Sequence, residues 1–314
     1  MTSTGAPSAA APPGRGAVRL GAPGKVNLGL RILGRRSDGF HLLDSLFLPI
    51  ELADELEIRL TPGRAGLRFE LEGEPASDVP RGDENLAVRA ARAFLTAANA
   101  EPGLEIRLDK RLPSAAGLGG GSSDAGAVLR GLAALLPGRL PGERLAELAL
   151  ELGADVPFFL DPRPARVTGI GERIEPLGGI RSWPILLARG GPPLPTSQVF
   201  AAYDADPSLT PAGPDPTIRP LWALREDRGL VRAGPQLRGL LRNDLEPAAT
   251  RLNPAVAELQ REIEKHGALA AAMSGSGPTV YGLFEDEGRA REAEREVRER
   301  NGAETWLSRT QASP

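Results

Sequence analysis

Between residues 26 and 32 apolar and polar positions alternate. Val26, Leu28, Leu30 and Ile32 share one face, and Asn27, Gly29 and Arg31 share the other. A period of two predicts a half-buried β-strand. The same alternation at Leu56, Ile58 and Leu60, and again at Leu67, Phe69 and Leu71, flanks Thr61-Pro62-Gly63 and predicts a hairpin. Residues 85–98 carry helical spacing, and Leu104, Ile106 and Leu108 form a further strand. Helical spacing returns at Ala125, Val128, Leu129, Leu132 and Leu136, with Ser122 or Ser123 as the expected N-cap and Pro137-Gly138 as the stop. Leu145, Leu148 and Leu152 mark another helix, closed by Gly153. Antiparallel strands with helices packed on them make an α+β pattern, not the alternation of a doubly wound parallel sheet.

Eight prolines fall between residues 190 and 220, which predicts a loop-rich segment forming part of a lid or substrate edge. Beyond it the order is helix (255–265), strand (268–273), glycine turn, strand (280–284), helix (288–300) and strand (305–307). That order suits a split βαβ, ferredoxin-like unit. Ala290, Ala293 and Val297 line one side of the later helix, and its many charges form a solvated face. The length of 314 residues fits two domains. We expect a disordered tail over 1–16, an N-terminal domain over 17–170 and a C-terminal domain over 171–314, with the change somewhere in 165–185.

The stretch Leu112-Pro-Ser-Ala-Ala-Gly-Leu-Gly-Gly-Gly-Ser-Ser123 stands where the strand at 104–108 gives way to a helix. Gly117, Gly119, Gly120 and Gly121 remove the Cβ atoms that would keep an anion from bare backbone N–H groups. The mouth of a helix adds unpaired donors and a positive dipole end, so the loop suits a polyphosphate. No Gly-Lys-Ser/Thr follows, so it is not a Walker loop. Nor is it the dinucleotide fingerprint, because Ser122 replaces the third glycine and the preceding strands do not read as a βαβ unit. A second glycine loop, Ser274-Gly-Ser-Gly-Pro-Thr279, reads equally well as a ligand loop or a tight hairpin.

Composition removes several classes. The chain has no cysteine and two histidines, His41 and His266, which excludes disulfides, thiolate zinc sites, a cysteine nucleophile and a histidine metal cage. A net charge of −3 and 4 % aromatic residues give no footing for nucleic acid or an anionic membrane. The N-terminal residues lack the apolar centre of a signal peptide, and no run is long enough to span a bilayer; a cytoplasmic protein is expected. Only Lys25, Lys110 and Lys265 among 38 basic residues are lysine. In a chain that otherwise uses arginine, each marks a place that can call for a compact point charge.

Singly, the remaining candidates have plain alternatives. Asp155, in Gly153-Ala-Asp-Val-Pro157, reads as a turn aspartate, Lys25 as an exposed residue at a strand start, and His41 as structural. Beside a phosphate loop, Asp155 gains the role of a carboxylate that orients an alcohol and accepts its proton. An ammonium beside it would stabilise charge on a transferred phosphoryl group. Phe40-His41 could stack on a base and hydrogen-bond its edge.

Taken together, Pro23-Gly-Lys-Val-Asn27, the loop over 113–123 and the loop over 274–278 resemble, in order and spacing, the three motifs of the GHMP kinase superfamily. The resemblance spans almost the whole chain. Within the superfamily it points to members that act on a cytidine-diphosphate-linked sugar alcohol, through Arg36-Ser-Asp-Gly-Phe-His41, Gly153-Ala-Asp-Val-Pro-Phe-Phe159 and Asn243-Asp-Leu-Glu246. It implies a two-domain α+β fold, with an N-terminal domain like ribosomal-protein-S5 domain 2 and a C-terminal ferredoxin-like domain. It also implies an ATP-dependent kinase that works with Mg²⁺ as a monomer or homodimer. By the same resemblance Lys25 and Asp155 are catalytic. ATP is held by Pro113, Ser114, Ala115, Ala116, Gly117, Leu118, Gly119, Gly120, Gly121, Ser122 and Ser123. The substrate is held by Asn27, Phe40, His41, Phe200, Ser274, Gly275, Ser276 and Gly277. No side chain is assigned as a resident metal ligand. Phe40 stands where tyrosine is usual, and Ser114 and Ala115 replace the usual methionine and glycine. A homoserine- or mevalonate-type kinase, or a non-catalytic nucleotide binder, shares the glycine loops and is separated by turnover of ATP with a panel of alcohols.

Overall fold

The computed structural model describes residues 16–61, 63, 66–73, 79–209 and 241–313. Most of the expected tail, residues 1–15, and the later part of the proline-rich segment, residues 210–240, lie outside these.

Two sheets carry the fold. In the first, β1 (Ala17–Arg35) and β2 (His41–Leu60) form a long antiparallel pair whose turn closes through Arg36 N–H to Phe40 O at 2.8 Å. Beyond β2 lie β3 (Leu67–Glu72), β4 (Leu104–Asp109), β5 (Ala165–Gly169) and β6 (Arg173–Pro176), in the order β3-β4-β2-β5-β6. The helices α1 (Leu86–Ala97), α2 (Gly120–Leu135) and α3 (Gly142–Leu152) belong to this half. Asn85 caps α1, its side chain accepting from Ala87 N–H at 2.9 Å.

The second sheet joins β7 (Pro184–Arg189), β8 (Ala270–Met273), β9 (Val280–Leu283) and β10 (Glu304–Arg309) in the order β10-β7-β9-β8, every neighbouring pair antiparallel. Because β9 lies between β7 and β8, this is the split arrangement of a ferredoxin-like unit. Among the described residues its helices are α4 (Thr196–Asp204), α5 (Glu246–Leu252), α6 (Ala255–Lys265) and α7 (Glu287–Asn301). Ala290, Ala293 and Val297 of α7 are buried, and its arginines and glutamates face outward, as their spacing predicts. None of the described helices is long and apolar enough to cross a membrane.

One apolar cluster joins the halves. Val26, Leu28, Leu46, Leu48 and Ile50 of β1 and β2 pack with Ile185, Leu187, Ala270, Ala272 and Tyr281 of the second sheet. Each fully buried Leu or Ile contributes about 1.5–3 kcal/mol. The cleft that matters for chemistry opens beside this cluster.

Several expectations change. The runs at 56–60 and 67–71 are not a hairpin. The chain after β2 goes to the sheet edge, and β4 inserts between β2 and β3, pairing with β3 in parallel. β3-α1-β4 is thus a βαβ unit that ends directly before the glycine loop; the loop follows its second strand instead of opening α1, so both this placement and Ser122 separate it from the dinucleotide fingerprint. β1 is not half-buried: residues 22–30 are buried throughout, because its polar face turns into the cleft instead of toward water. α2 begins earlier than the serines suggest. Gly119, in the left-handed region at φ 71°, is its N-cap, and Ser122 and Ser123 lie within the first turn. Finally, the proline-rich stretch contains a helix, α4, begun by Pro195.

Candidate active site

Three loops converge on β1. The backbone N–H of Lys25 donates to Leu118 O at 2.9 Å. The Ser123 hydroxyl donates to Pro23 O at 2.7 Å. From the other half, the Ser274 hydroxyl accepts from Asn27 N–H at 3.3 Å and donates to Gly117 O at 3.0 Å. A Cβ on Gly117 would lie 2.3 Å from Ser274 O, so these two backbones can meet only through glycine. Tyr281, its hydroxyl pKa pushed up by burial, donates to Asn27 O at 3.0 Å. Asn243 donates to Met273 O at 3.0 Å and to Gly275 O at 2.7 Å, which holds the second glycine loop.

At this junction Lys25 is 4 % exposed, which corrects the reading of it as a surface lysine. Its Nζ donates to Asn27 Oδ1 at 2.6 Å, stands 4.6 Å from the Phe47 ring centre and reaches Asp155 Oδ2 at 3.5 Å. Asp155 follows α3 and stays about one-third exposed, open to the cleft. Asn27 is held in turn by donating to the Ser45 hydroxyl at 2.9 Å.

The cleft has a volume of about 1400 Å³. Lys25, Asn27 and Asp155 line it together with residues 113–117, 119–122, Gly275 and Ser276. At the other end stand Phe40, His41 and Phe200. Phe40 is exposed, whereas Phe200 stacks on His41 with ring centres 4.7 Å apart. Leu118, Ser123, Ser274 and Gly277 are not among the lining residues. The two serine hydroxyls are engaged inside the protein, Leu118 packs in the core between the sheets, and Gly277 N–H donates to Ser274 O at 2.9 Å. These four residues brace the loops that do line the cleft.

Sequence reasoning missed a second charged group. Lys110 lies under the glycine loop at 4 % exposure. It donates to Asp54 and, at 2.8 Å, to Asp124. Asp54 also accepts from Arg111 N–H at 2.6 Å and Leu112 N–H at 2.8 Å. Burial pushes the Asp124 carboxyl up to about 8, against the pull of Lys110. Burial works against the charge of Lys110 as well, but Asp124 and Asp54 outweigh it and raise its pKa. The signal was present: Lys110 is one of only three lysines and stands three residues before Pro113.

A glycine loop at a helix mouth, a lysine–aspartate pair beneath it and an open cleft beyond define a small-molecule phosphotransferase of the two-sheet kind. Comparison with known proteins gives the family. Residues 85–161 match the model of the GHMP kinases N terminal domain, and residues 221–303 match that of the GHMP kinases C terminal domain. The chain belongs to the GHMP kinase family. A 4-diphosphocytidyl-2-C-methyl-D-erythritol kinase of Anaeromyxobacter dehalogenans is 42 % identical over 299 residues, covering 92 % of this chain and 89 % of its own. The kinase of the same name from Citrifermentans bemidjiense is 40 % identical, covering 91 % and 96 %. A crystal structure of 4-(cytidine 5'-diphospho)-2C-methyl-D-erythritol kinase superposes with a TM-score of 0.77 at 37 % identity, covering 94 % of this chain and all of that one. Homoserine kinase from Cytophaga hutchinsonii shares the fold at a TM-score of 0.68, but only 17 % of the sequence, with 94 % and 95 % covered.

Proposed function

We propose that this enzyme transfers the γ-phosphate of ATP to the 2-hydroxyl of 4-diphosphocytidyl-2-C-methyl-D-erythritol, a step in the non-mevalonate route to isoprenoid precursors. The observation that carries the reading is the Lys25–Asp155 pair, 3.5 Å apart, in one cleft with the glycine loop and the Phe40–His41 end. Relatives at 37–42 % identity carry that activity in their names, whereas the homoserine kinase shares only the fold.

The residues suit a triphosphate. Gly119 caps α2 through backbone conformation and makes no side-chain cap bond, so the first N–H groups of a 16-residue helix meet the phosphates with the positive end of its dipole. The Ser122 hydroxyl lies in the same turn. Among the described residues no cluster of three or more histidines or acids could hold a metal. Mg²⁺ would enter with ATP and would neutralise charge on the triphosphate, and the Ser122 hydroxyl, in the first turn of α2 and at the cleft, would be the side chain placed to meet it. Asp155 accepts the proton of the attacking hydroxyl as its oxygen bonds to the γ-phosphorus and the bond to the ADP oxygen breaks. Lys25 balances the charge that collects on the phosphoryl oxygens, and Asn27 aims its ammonium. Phe40 and Phe200 supply stacking faces for the cytosine, and His41 supplies a hydrogen-bonding edge. The substrates are water-soluble, which suits a cytoplasmic setting.

A coupled assay for ADP, run with and without the cytidylylated substrate, tests the function. Release that depends on that substrate, and not on homoserine or mevalonate, is the expected result. ADP release indifferent to the alcohol would remove it.

A further inference from the structure

Helix α4 crosses the mouth of the cleft and is tied down at both ends. At its start Thr196 Oγ1 and Ser276 Oγ are 2.8 Å apart. At its end Asp204 meets the β1–β2 turn of the other half: Oδ1 lies 2.7 Å from His41 Nε2, and Oδ2 lies 3.2 Å from Arg35 Nη1. Phe200, one turn earlier, stacks on the same imidazole, and Tyr203 meets it edge-on at 6.1 Å. The His41 side chain is left only one-tenth exposed.

The chemistry of this contact is one-directional. A carboxylate can only accept, so His41 Nε2 carries the hydrogen; in the neutral ring Nδ1 is then the lone-pair nitrogen. Arg35 on the second carboxylate oxygen and Phe200 on the ring face keep both partners from turning. We propose that Asp204 is a specificity-positioning residue. By holding Nε2–H it fixes the tautomer whose Nδ1 accepts, and so favours a pyrimidine that presents a 4-amino group over one that presents a 4-carbonyl. Cytosine donates there, whereas uracil brings lone pairs against a lone pair. The inference rests on the proposed function, in which this end of the cleft takes the cytosine. It adds the residue that makes the reading selective.

The test is a ratio, which does not depend on how much protein is active. Wild type and Asp204→Ala are assayed with the cytidine-linked substrate and with its uridine-linked counterpart, and the two kcat/KM values are divided. The ratio is expected to fall roughly 10- to 100-fold in Asp204→Ala, the scale of one buried polar group no longer matched. An unchanged ratio, with the wild type turning over the cytidine substrate, would overturn the inference and leave the function standing. No turnover of that substrate by the wild type would remove both. Nitrogen-15 spectra give a second readout, since the chain has only two histidines. His41 should show the Nε2–H tautomer in the wild type and a mixture in Asp204→Ala, with His266 as the unaltered reference. An Nδ1–H tautomer in the wild type would overturn the inference on its own.

Discussion

Two buried lysines lie beneath consecutive glycines of one loop, and they are built for opposite ends. A Cβ on Gly119 would meet Lys25 Cε at 3.3 Å, and one on Gly120 would meet Lys110 Nζ at 3.5 Å. Lys25 has one carboxylate, at 3.5 Å and one-third exposed, with a neutral amide and an aromatic face for its other contacts. Its charge is only partly matched and faces the cleft. Lys110 and Asp124 also reach the cleft wall, but Lys110 is bonded to two buried aspartates, Asp54 and the Asp124 that burial keeps protonated toward pH 8, and its charge is matched inside the fold. A buried charge left unmatched at a cleft wall can act on a ligand, while one that is fully paired fixes the wall itself.

The largest expected effect breaks the Lys110 side. Lys110→Met leaves Asp54 and Asp124 facing each other without their cation, and removing one partner of a buried ionic group costs about 3–5 kcal/mol. Denaturant unfolding should show that loss. A change below about 1 kcal/mol, the scale of an exposed pair, would mean that Lys110 is not the structural partner in this contrast. Asp155→Asn breaks the Lys25 side and should do the reverse. Removing a general base lowers kcat by roughly a hundredfold or more, near 2.7 kcal/mol of barrier. Because Asp155 is open to the cleft, the melting temperature should hardly move. Near-normal turnover in this variant would rule out Asp155 as the base.

The contrast also explains what could be read from the chain and what could not. The two glycine loops, the Lys25–Asn27 strand, Asp155 and Phe40–His41 are local strings whose chemistry shows in one dimension, and the structure gathers them around one cleft. The C-terminal order of strands and helices was legible for the same reason, since each element keeps its own period. Lys110 stood out as one of three lysines, but its partners were not legible, because Asp54 in β2 and Asp124 in α2 lie far from it in sequence and only the sheet order brings them to Lys110, just past β4. The same long-range pairing turned the expected hairpin at 56–71 into β2 and β3 with β4 between them, since alternation predicts a strand and not its neighbour. Ser122 and Ser123 read as caps because serine caps many helices. The glycine at 119 begins the helix first by adopting a conformation that serine would resist.

A smaller effect sharpens the Lys110 side through pH. Asp124 is pushed up to about 8 by burial, far above the range of an unfolded aspartate. The folded protein therefore keeps a proton that the unfolded chain releases. Its stabilising effect is complete below about pH 4 and is lost as pH rises toward 8, at no more than about 1.4 kcal/mol per pH unit for one proton. Lys110, raised as well, works in the same direction at alkaline pH. Unfolding free energies at pH 6.5 and 7.5 should differ more in the wild type than in Asp124→Asn, whose amide does not titrate. Equal slopes would place the retained proton elsewhere than on Asp124.

The smallest effect lies in the loop that spans the two lysines. Ala115 has a φ of 51°, in the left-handed region that favours glycine. An alanine there costs roughly 1–2 kcal/mol relative to its relaxed conformation, and glycine returns part of that gain through its freer unfolded state. Ala115 is exposed, so losing its methyl removes no core contact. Ala115→Gly should therefore stabilise the protein by about 0.5–1 kcal/mol, a shift of roughly 1–4 °C in melting temperature for a chain of this size. The chain is held in this conformation because its ends are fixed: Arg189 donates to Ser114 O at 2.9 Å on one side, and Lys25 N–H holds Leu118 O at 2.9 Å on the other. A melting temperature that stays level or falls in Ala115→Gly would show that the loop is not strained between its two anchors, and that Lys25 and Lys110 support a relaxed turn.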